Sequence, residues 1–221
     1  MELTPYILPY IAVFIAIGLC IKDFRHAFLP KLLTDKPFQN FCFFTTIGLF
    51  FLWSAQAGVK EGLLIHFLGL TIFTLIFGMR TAFLLTIPIA FALAITTQIP
   101  FDTLAEYLFL SCLIPISVSY GIYYLSFHYL PKNIFIFIFV AGFLNGALTG
   151  SVHLLTNTGY QLWQGNYDWQ TISDNYFIFL PLLAFPEGLL NGMAAAIMAV
   201  FKPEWLRTFS DKDYIYTQYR K

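Results

Sequence analysis

The chain has 221 residues, 58% of them hydrophobic and only 11% charged, with a mean hydropathy of +0.71 and a formal net charge of zero. That is the composition of an integral membrane protein, and the charge balance excludes a bulk electrostatic footprint for nucleic acid. Rossmann-type and P-loop glycine patterns and zinc-spaced cysteines are missing, which argues against the soluble enzyme classes.

Apolar segments long enough to span a bilayer, or nearly so, run at about 5–21, 40–58, 62–78, 81–99, 106–127, 133–156 and 176–201. The predicted fold is all-α: a polytopic bundle of about seven transmembrane helices, with residues 1–221 as one integral membrane domain and 202–221 as a short tail. The first segment lacks a basic n-region and a small-residue cleavage site and reads as a retained helix. The third is short against the ~20 residues of a full span and meets the fourth at Gly78-Met79-Arg80-Thr81, so it is tilted, partial or set in a thinned region. The longest loop, about 157–175, carries Tyr160, Trp163, Tyr167 and Trp169, as an interfacial aromatic belt or a lid would. Cys20, Cys42 and Cys112 lie far apart in apolar runs and read as small core residues rather than a disulfide framework, although Cys112 is also a soft ligand type.

Orientation follows from the basic residues. Lys22, Arg25, Lys31 and Lys36 fall in the first loop, Arg80 in the third and Lys132 in the fifth, while Lys202, Arg207, Lys212, Arg220 and Lys221 fall in the tail. Lys60 alone falls on the other side, with Glu2, Glu61, Asp102, Glu106, Asp168 and Asp174. The bias predicts an outside amino terminus and a cytoplasmic carboxyl terminus, and the family resemblance described below implies a bacterial inner (plasma) membrane.

An ionisable side chain inside a spanning segment is expensive unless it faces other helices or a wet cavity. Glu187 is such a residue, in a stretch loosened by Pro181, Pro186, Gly188 and Gly192. On the sixth segment Gly142, Gly146 and Gly150 repeat at four-residue spacing beside Asn145, Thr149 and His153. On the seventh, Gly188, Gly192 and Ala196 lie beside Glu187 and Asn191. Small-xxx-small stripes let helices approach closely in lipid, so segments six and seven are predicted to pack tightly with their polar stripes turned inward. His66 lies about four residues inside the third segment and His153 about four residues from the end of the sixth. At about 1.5 Å rise per residue both lie near ~6 Å below the outer boundary, where they could meet in one shallow pocket.

Two imidazoles and a carboxylate suit Ni, Co, Zn or Cu(II) better than Mg or Ca. The alternatives stay open: an intramembrane histidine is also a common interhelical hydrogen-bonding partner, and Glu187 could be a neutral acid bonded to Asn191 or Asn145. His26 and His128 sit at the cytoplasmic ends and read as interfacial, and Met193 and Met198 as core. Ser117, Ser119, Ser126 and Ser151 show no nucleophile-and-base spacing with a histidine, so the chain is not read as an enzyme.

With these residues in place the sequence resembles the CbiM-like cobalt/nickel permease family, the membrane substrate-capture component of energy-coupling-factor ABC transporters. His66-Phe67-Leu68-Gly69 through Gly78 is similar to that family's His-Leu-Leu-Gly stretch, and Pro186-Glu187-Gly188-Leu189-Leu190-Asn191-Gly192 to its Gly-Glu-Gly helix. The resemblance implies that His66 is a metal ligand. The family's other ligands come from an amino-terminal Met-His-Ile, whereas this chain begins Met1-Glu2-Leu3-Thr4. The chain looks closest to a divergent branch of that family, in which either Glu2, His153 or Glu187 rebuilds the site or the ion differs.

The expected function is therefore uptake of a transition-metal ion, nickel or cobalt first and zinc or copper next. The metal is transported cargo, and no permanently bound cofactor is expected. The resemblance implies a coupling transmembrane subunit and cytoplasmic ATPases as partners, and this sequence holds no Walker motif. His66, His153 and Glu187 are the candidate ligands, and Asn191, Asn145 and Thr149 the polar gate or supporting shell. A non-transporting membrane scaffold or assembly protein, and a transporter of a small organic substrate, are the competing functions.

Overall fold

Nearly unbroken apolar character from Thr4 onward builds α1 (Thr4–Asp23), which runs on through a π turn at Phe24–Phe28 into Leu29–Thr34. The computed structural model describes residues 4–60, 62–96 and 98–215. Asp35 interrupts the helix, and its carboxylate accepts the Phe38 N–H at 3.1 Å while Pro37 fills the first turn of α2 (Lys36–Ser54), a standard N-cap. Glycines then take over. Gly62, with φ of +76°, turns the chain between β1 (Ala57–Lys60) and β2 (Leu63–Ile65), an antiparallel hairpin in which Ala57 faces Ile65. An irregular stretch, His66–Gly69, leads into α3 (Leu70–Phe77), which Gly78 ends.

The remaining helices are α4 (Met79–Ile95), α5 (Phe101–Tyr129), α6 (Ile134–Gln164) and α7 (Trp169–Phe201). π turns interrupt α5 at Leu108–Leu113 and α6 at Phe137–Leu144. The tail holds a 3-10 turn at Pro203–Trp205 and a last short helix, α8 (Asp211–Tyr214).

Two expectations are corrected. The segment 62–78 is not one helix: its first part is hairpin and irregular backbone, and α3 has 8 residues, about 12 Å of rise. An apolar run does not by itself distinguish extended from helical chain, and the glycines at 58, 62 and 69 decided for the former. The long loop over 157–175 is mostly helix, because α6 continues to Gln164 and α7 begins at Trp169, where the Asp168 carboxylate accepts the Thr171 N–H.

The helix Ile7–Thr34 and α5, α6 and α7 are long and apolar enough to cross a membrane, and α4 is apolar but shorter. Large apolar side chains stay exposed on the outside of the bundle, Phe14 at 79% and Phe44 at 75% among them. Such a surface suits lipid and marks a membrane protein.

The chain shuttles between two ends of the bundle. At one end the hairpin meets the α4–α5 loop and the α6–α7 junction: Gln56 Nε2 donates to the Gln98 carbonyl, Tyr10 Oη to that of Asp102, and Gln161 Nε2 to that of Gly62. At the other, Asp23, Thr81 and the tail converge. The short α3 lies in the middle, packed against α4, α5, α6 and α7. Seven of its eight residues are buried, as expected of a helix apolar on all sides.

The predicted close packing of the sixth and seventh segments is present. A methyl group added at Gly146 would stand 2.9 Å from Asn191 Cβ, and one added at Gly188 2.8 Å from the Phe143 carbonyl oxygen. Backbones approach this closely only where the side chain is a hydrogen.

Candidate binding pocket

Helix α3 presents unsatisfied N–H groups at its start, as every helix does, and here they are buried. Glu187 on α7 meets them. Its Oε2 accepts the Leu68 N–H at 2.9 Å and its Oε1 accepts the Gly69 N–H at 2.7 Å. Asn191, one turn further along α7, accepts the Ile72 N–H on Oδ1 at 2.8 Å and donates through Nδ2 to Glu187 Oε1 at 2.8 Å. From the other side Trp53 Nε1 donates to the Leu68 carbonyl at 2.8 Å. A carboxylate at a helix N-terminus is favoured both by the free N–H groups and by the helix dipole. The clamp fixes the residues that follow His66.

His66 is thereby held against three rings. Its centroid lies 5.7 Å from that of His153, 6.0 Å from Trp53 and 6.2 Å from Tyr107, the last nearly parallel. His153 arrives from α6. Each imidazole turns Nδ1 to a backbone carbonyl, His66 to its neighbour Phe67 at 3.3 Å and His153 to Leu110 at 3.4 Å. Leu110 belongs to the π turn of α5, where the regular carbonyl ladder is disturbed. In the neutral tautomer that donates from Nδ1 to these carbonyls, each Nε2 keeps its lone pair. Among the described residues neither Nε2 has a hydrogen-bond partner.

Both histidines line a cavity of ≈ 930 Å³ at the hairpin end of the bundle. Its wall is polar for a membrane protein. Gln161, Gln164, Asn157 and Asn166 from α6 and the loop beyond it face Asp102, Glu106 and Tyr107 from α5. Gln164 Nε2 donates to Glu106 Oε1 at 3.4 Å, and Asn166 Nδ2 to Gln161 Oε1 at 2.9 Å. Two polar atoms of the wall, the Tyr107 hydroxyl and Gln98 Oε1, are buried with no partner among the described residues.

The expected site residues fall into three places. His66 and His153 are brought together in the cavity wall. Glu187 and Asn191 are behind it, engaged with the α3 backbone. Asn145 and Thr149 form a separate contact with α5: Asn145 Nδ2 donates to the Ser119 carbonyl at 3.0 Å, and the Thr149 hydroxyl donates to Asn145 Oδ1. Among the described residues no three His, Cys, Asp or Glu side chains converge as an ion-holding group. Cys112, the candidate soft ligand, is a free thiol with none of its surface exposed. Glu2, named above as a possible ligand, lies outside the described residues. Trp53, Tyr107 and the amides of α6 were missed; nothing in the linear pattern separates a wall tyrosine or glutamine from an interfacial one.

Compared with known proteins, the chain matches no family model, no curated protein and no solved structure.

Proposed function

We propose that this protein is the membrane substrate-capture component of an uptake system for a transition-metal ion of the nickel/cobalt class, with His66 and His153 as the capturing pair. In this reading the hairpin end faces outward, the tail is cytoplasmic, the chain crosses a bacterial plasma membrane seven times, and partner ATPases acting through a coupling subunit supply the energy.

The observation that carries it is the imidazole pair itself. Metal-binding histidines characteristically give one ring N–H to a carbonyl or carboxylate, which fixes the tautomer and leaves the other nitrogen for the ion. Both rings have that arrangement, in the wall of a cavity. The two ring centroids lie 5.7 Å apart, so the pair stands side by side in that wall. Glu187 and Asn191 act as positioning residues in this account, since they hold the Leu68–Ile72 backbone beside His66 rather than line the cavity.

A small polar organic solute is the second reading, favoured by the size of the cavity, which is within the ~300–1,000 Å³ range of sites for drug-sized molecules. A scaffold whose polar stripes serve only to join helices has no use for such a chamber.

The test is elemental analysis of the detergent-purified protein after separate loading with nickel, cobalt, zinc and copper, for wild type, His66→Ala and His153→Ala. One equivalent of one metal in wild type, lost in both variants, is the expected result. Failure to retain any of the four would remove the metal reading.

A further inference from the structure

The cavity is far larger than its proposed cargo. An ion with six waters occupies about 200 Å³ at ~30 Å³ per water, against ≈ 930 Å³ here. The described residues offer a pair of imidazole nitrogens and no converging third ligand, whereas nickel, cobalt and copper ions take four to six donors. A site designed around a bare ion would close on it.

The wall is equipped for something with hydrogen-bonding groups of its own. Five side-chain amides line it, those of Gln98, Asn157, Gln161, Gln164 and Asn166, and Glu106 and Ser111 add further polar groups. Among the described residues the formal charges of the wall are Asp102 and Glu106, both acidic. Lys60, whose Nζ lies 5.7 Å from the Tyr167 ring, is not among the lining residues. Such a wall disfavours an anionic complex and accepts a neutral or cationic one.

We infer that the substrate is a metal chelate: a transition-metal ion carrying a small organic ligand of amino-acid type, of net positive or zero charge, with coordination positions left open for the Nε2 atoms of His66 and His153. The organic part is read by the amides of α6, and the metal by the imidazole pair. This rests on the metal-capture reading above and deepens it, since it replaces the bare ion by a complex and gives the rest of the cavity a task.

The test is equilibrium dialysis of the purified full chain against four probes at equal concentration: nickel(II) alone, radiolabelled L-histidine alone, their 1:1 cationic complex, and the anionic nickel citrate complex. The expected result is retention of the nickel–histidine complex with metal and label in equal amounts, at least tenfold tighter than nickel alone, with the citrate complex excluded. Gln164→Ala should bring the complex down toward the affinity of nickel alone, while His66→Ala abolishes retention of nickel in every form. If nickel alone binds as tightly as the complex, or the label fails to accompany the metal, the chelate inference falls and metal capture stands. If histidine alone binds as well as its complex, the inference falls in favour of an organic solute. If no nickel form binds, the metal reading falls and the chelate with it.

Discussion

The two ends of α3 pose the same physical problem and solve it differently. Both leave backbone groups without helical partners in the interior of the bundle. At the amino-terminal end the donors are met by Glu187 and Asn191, both almost wholly buried and both from the middle of α7. At the carboxyl-terminal end the acceptors are met by the tail: the Arg207 and Thr208 N–H groups donate to the carbonyls of Ile76 and Leu75, and the Thr208 hydroxyl donates to Leu75 as well. Arg207 also forms a two-point ion pair with Asp23, both contacts at 2.8 Å. One end is locked by a transmembrane helix and lies beside the cavity. The other is strapped by a tail that also packs into the core through Leu206, Phe209 and Tyr214. The comparison teaches that the two ends differ in the partner they use, side chains of a spanning helix beside His66 and main chain of the tail on the far side.

Mutations at the two ends should therefore differ in size. Glu187→Ala leaves the buried Leu68 and Gly69 N–H groups without their acceptor, while the Asn191 amide keeps the residue-187 carbonyl, to which it donates at 2.7 Å. At about 1–3 kcal/mol for each orphaned buried donor it should cost several kcal/mol, read as a large fall in thermal midpoint or loss of folded protein in detergent. Glu187→Gln keeps one carbonyl oxygen and should lie between Ala and wild type. An Ala variant as stable as wild type would mean that the clamp does not hold α3.

Next in size is the α6–α7 seam that carries the clamp. Gly188→Ala sets a methyl against the Phe143 carbonyl at 2.8 Å and should destabilise by about 1–3 kcal/mol. Gly121→Ala on α5, where a Cβ meets open space, should be neutral or slightly stabilising, by up to about 1 kcal/mol from helix propensity. Equal effects from the two, in parallel thermal unfolding, would remove the seam from the account.

The smallest effect should come from the tail end. The Arg207 side chain is 43% exposed, so solvent screens its pair with Asp23, and Arg207→Ala should cost less than about 1 kcal/mol through that pair. Its cost should shrink further at high salt. A loss as large as that of Glu187→Ala would mean that the strap is as structural as the clamp.

Much of this was legible in the chain, some of it for reasons the structure replaces. The glycine stripes gave the α6–α7 seam because a missing side chain is a direct statement about distance. Glu187 was conspicuous because a carboxyl group in an apolar run needs a reason, yet its partners are backbone N–H groups, which carry no sequence signal. The meeting of His66 and His153 was foreseen by counting helical rise along a third helix. His66 in fact follows directly on the hairpin as the first of four irregular residues, and extended chain covers more than twice the distance per residue that helix does. The amides of the cavity wall stood in what read as a loop, since Gln161 and Gln164 are polar enough to mimic one while forming the last turn of α6.

The central claim is that His66 and His153 together hold the metal. The most direct measurement is an X-ray absorption spectrum of the loaded protein, which counts imidazoles around the ion. The account predicts two at about 2.0–2.1 Å in wild type loaded with the bare ion, and no retained metal to give a spectrum in His66→Ala or His153→Ala. A wild-type spectrum without imidazole scattering, from protein that has taken up one equivalent, would contradict it.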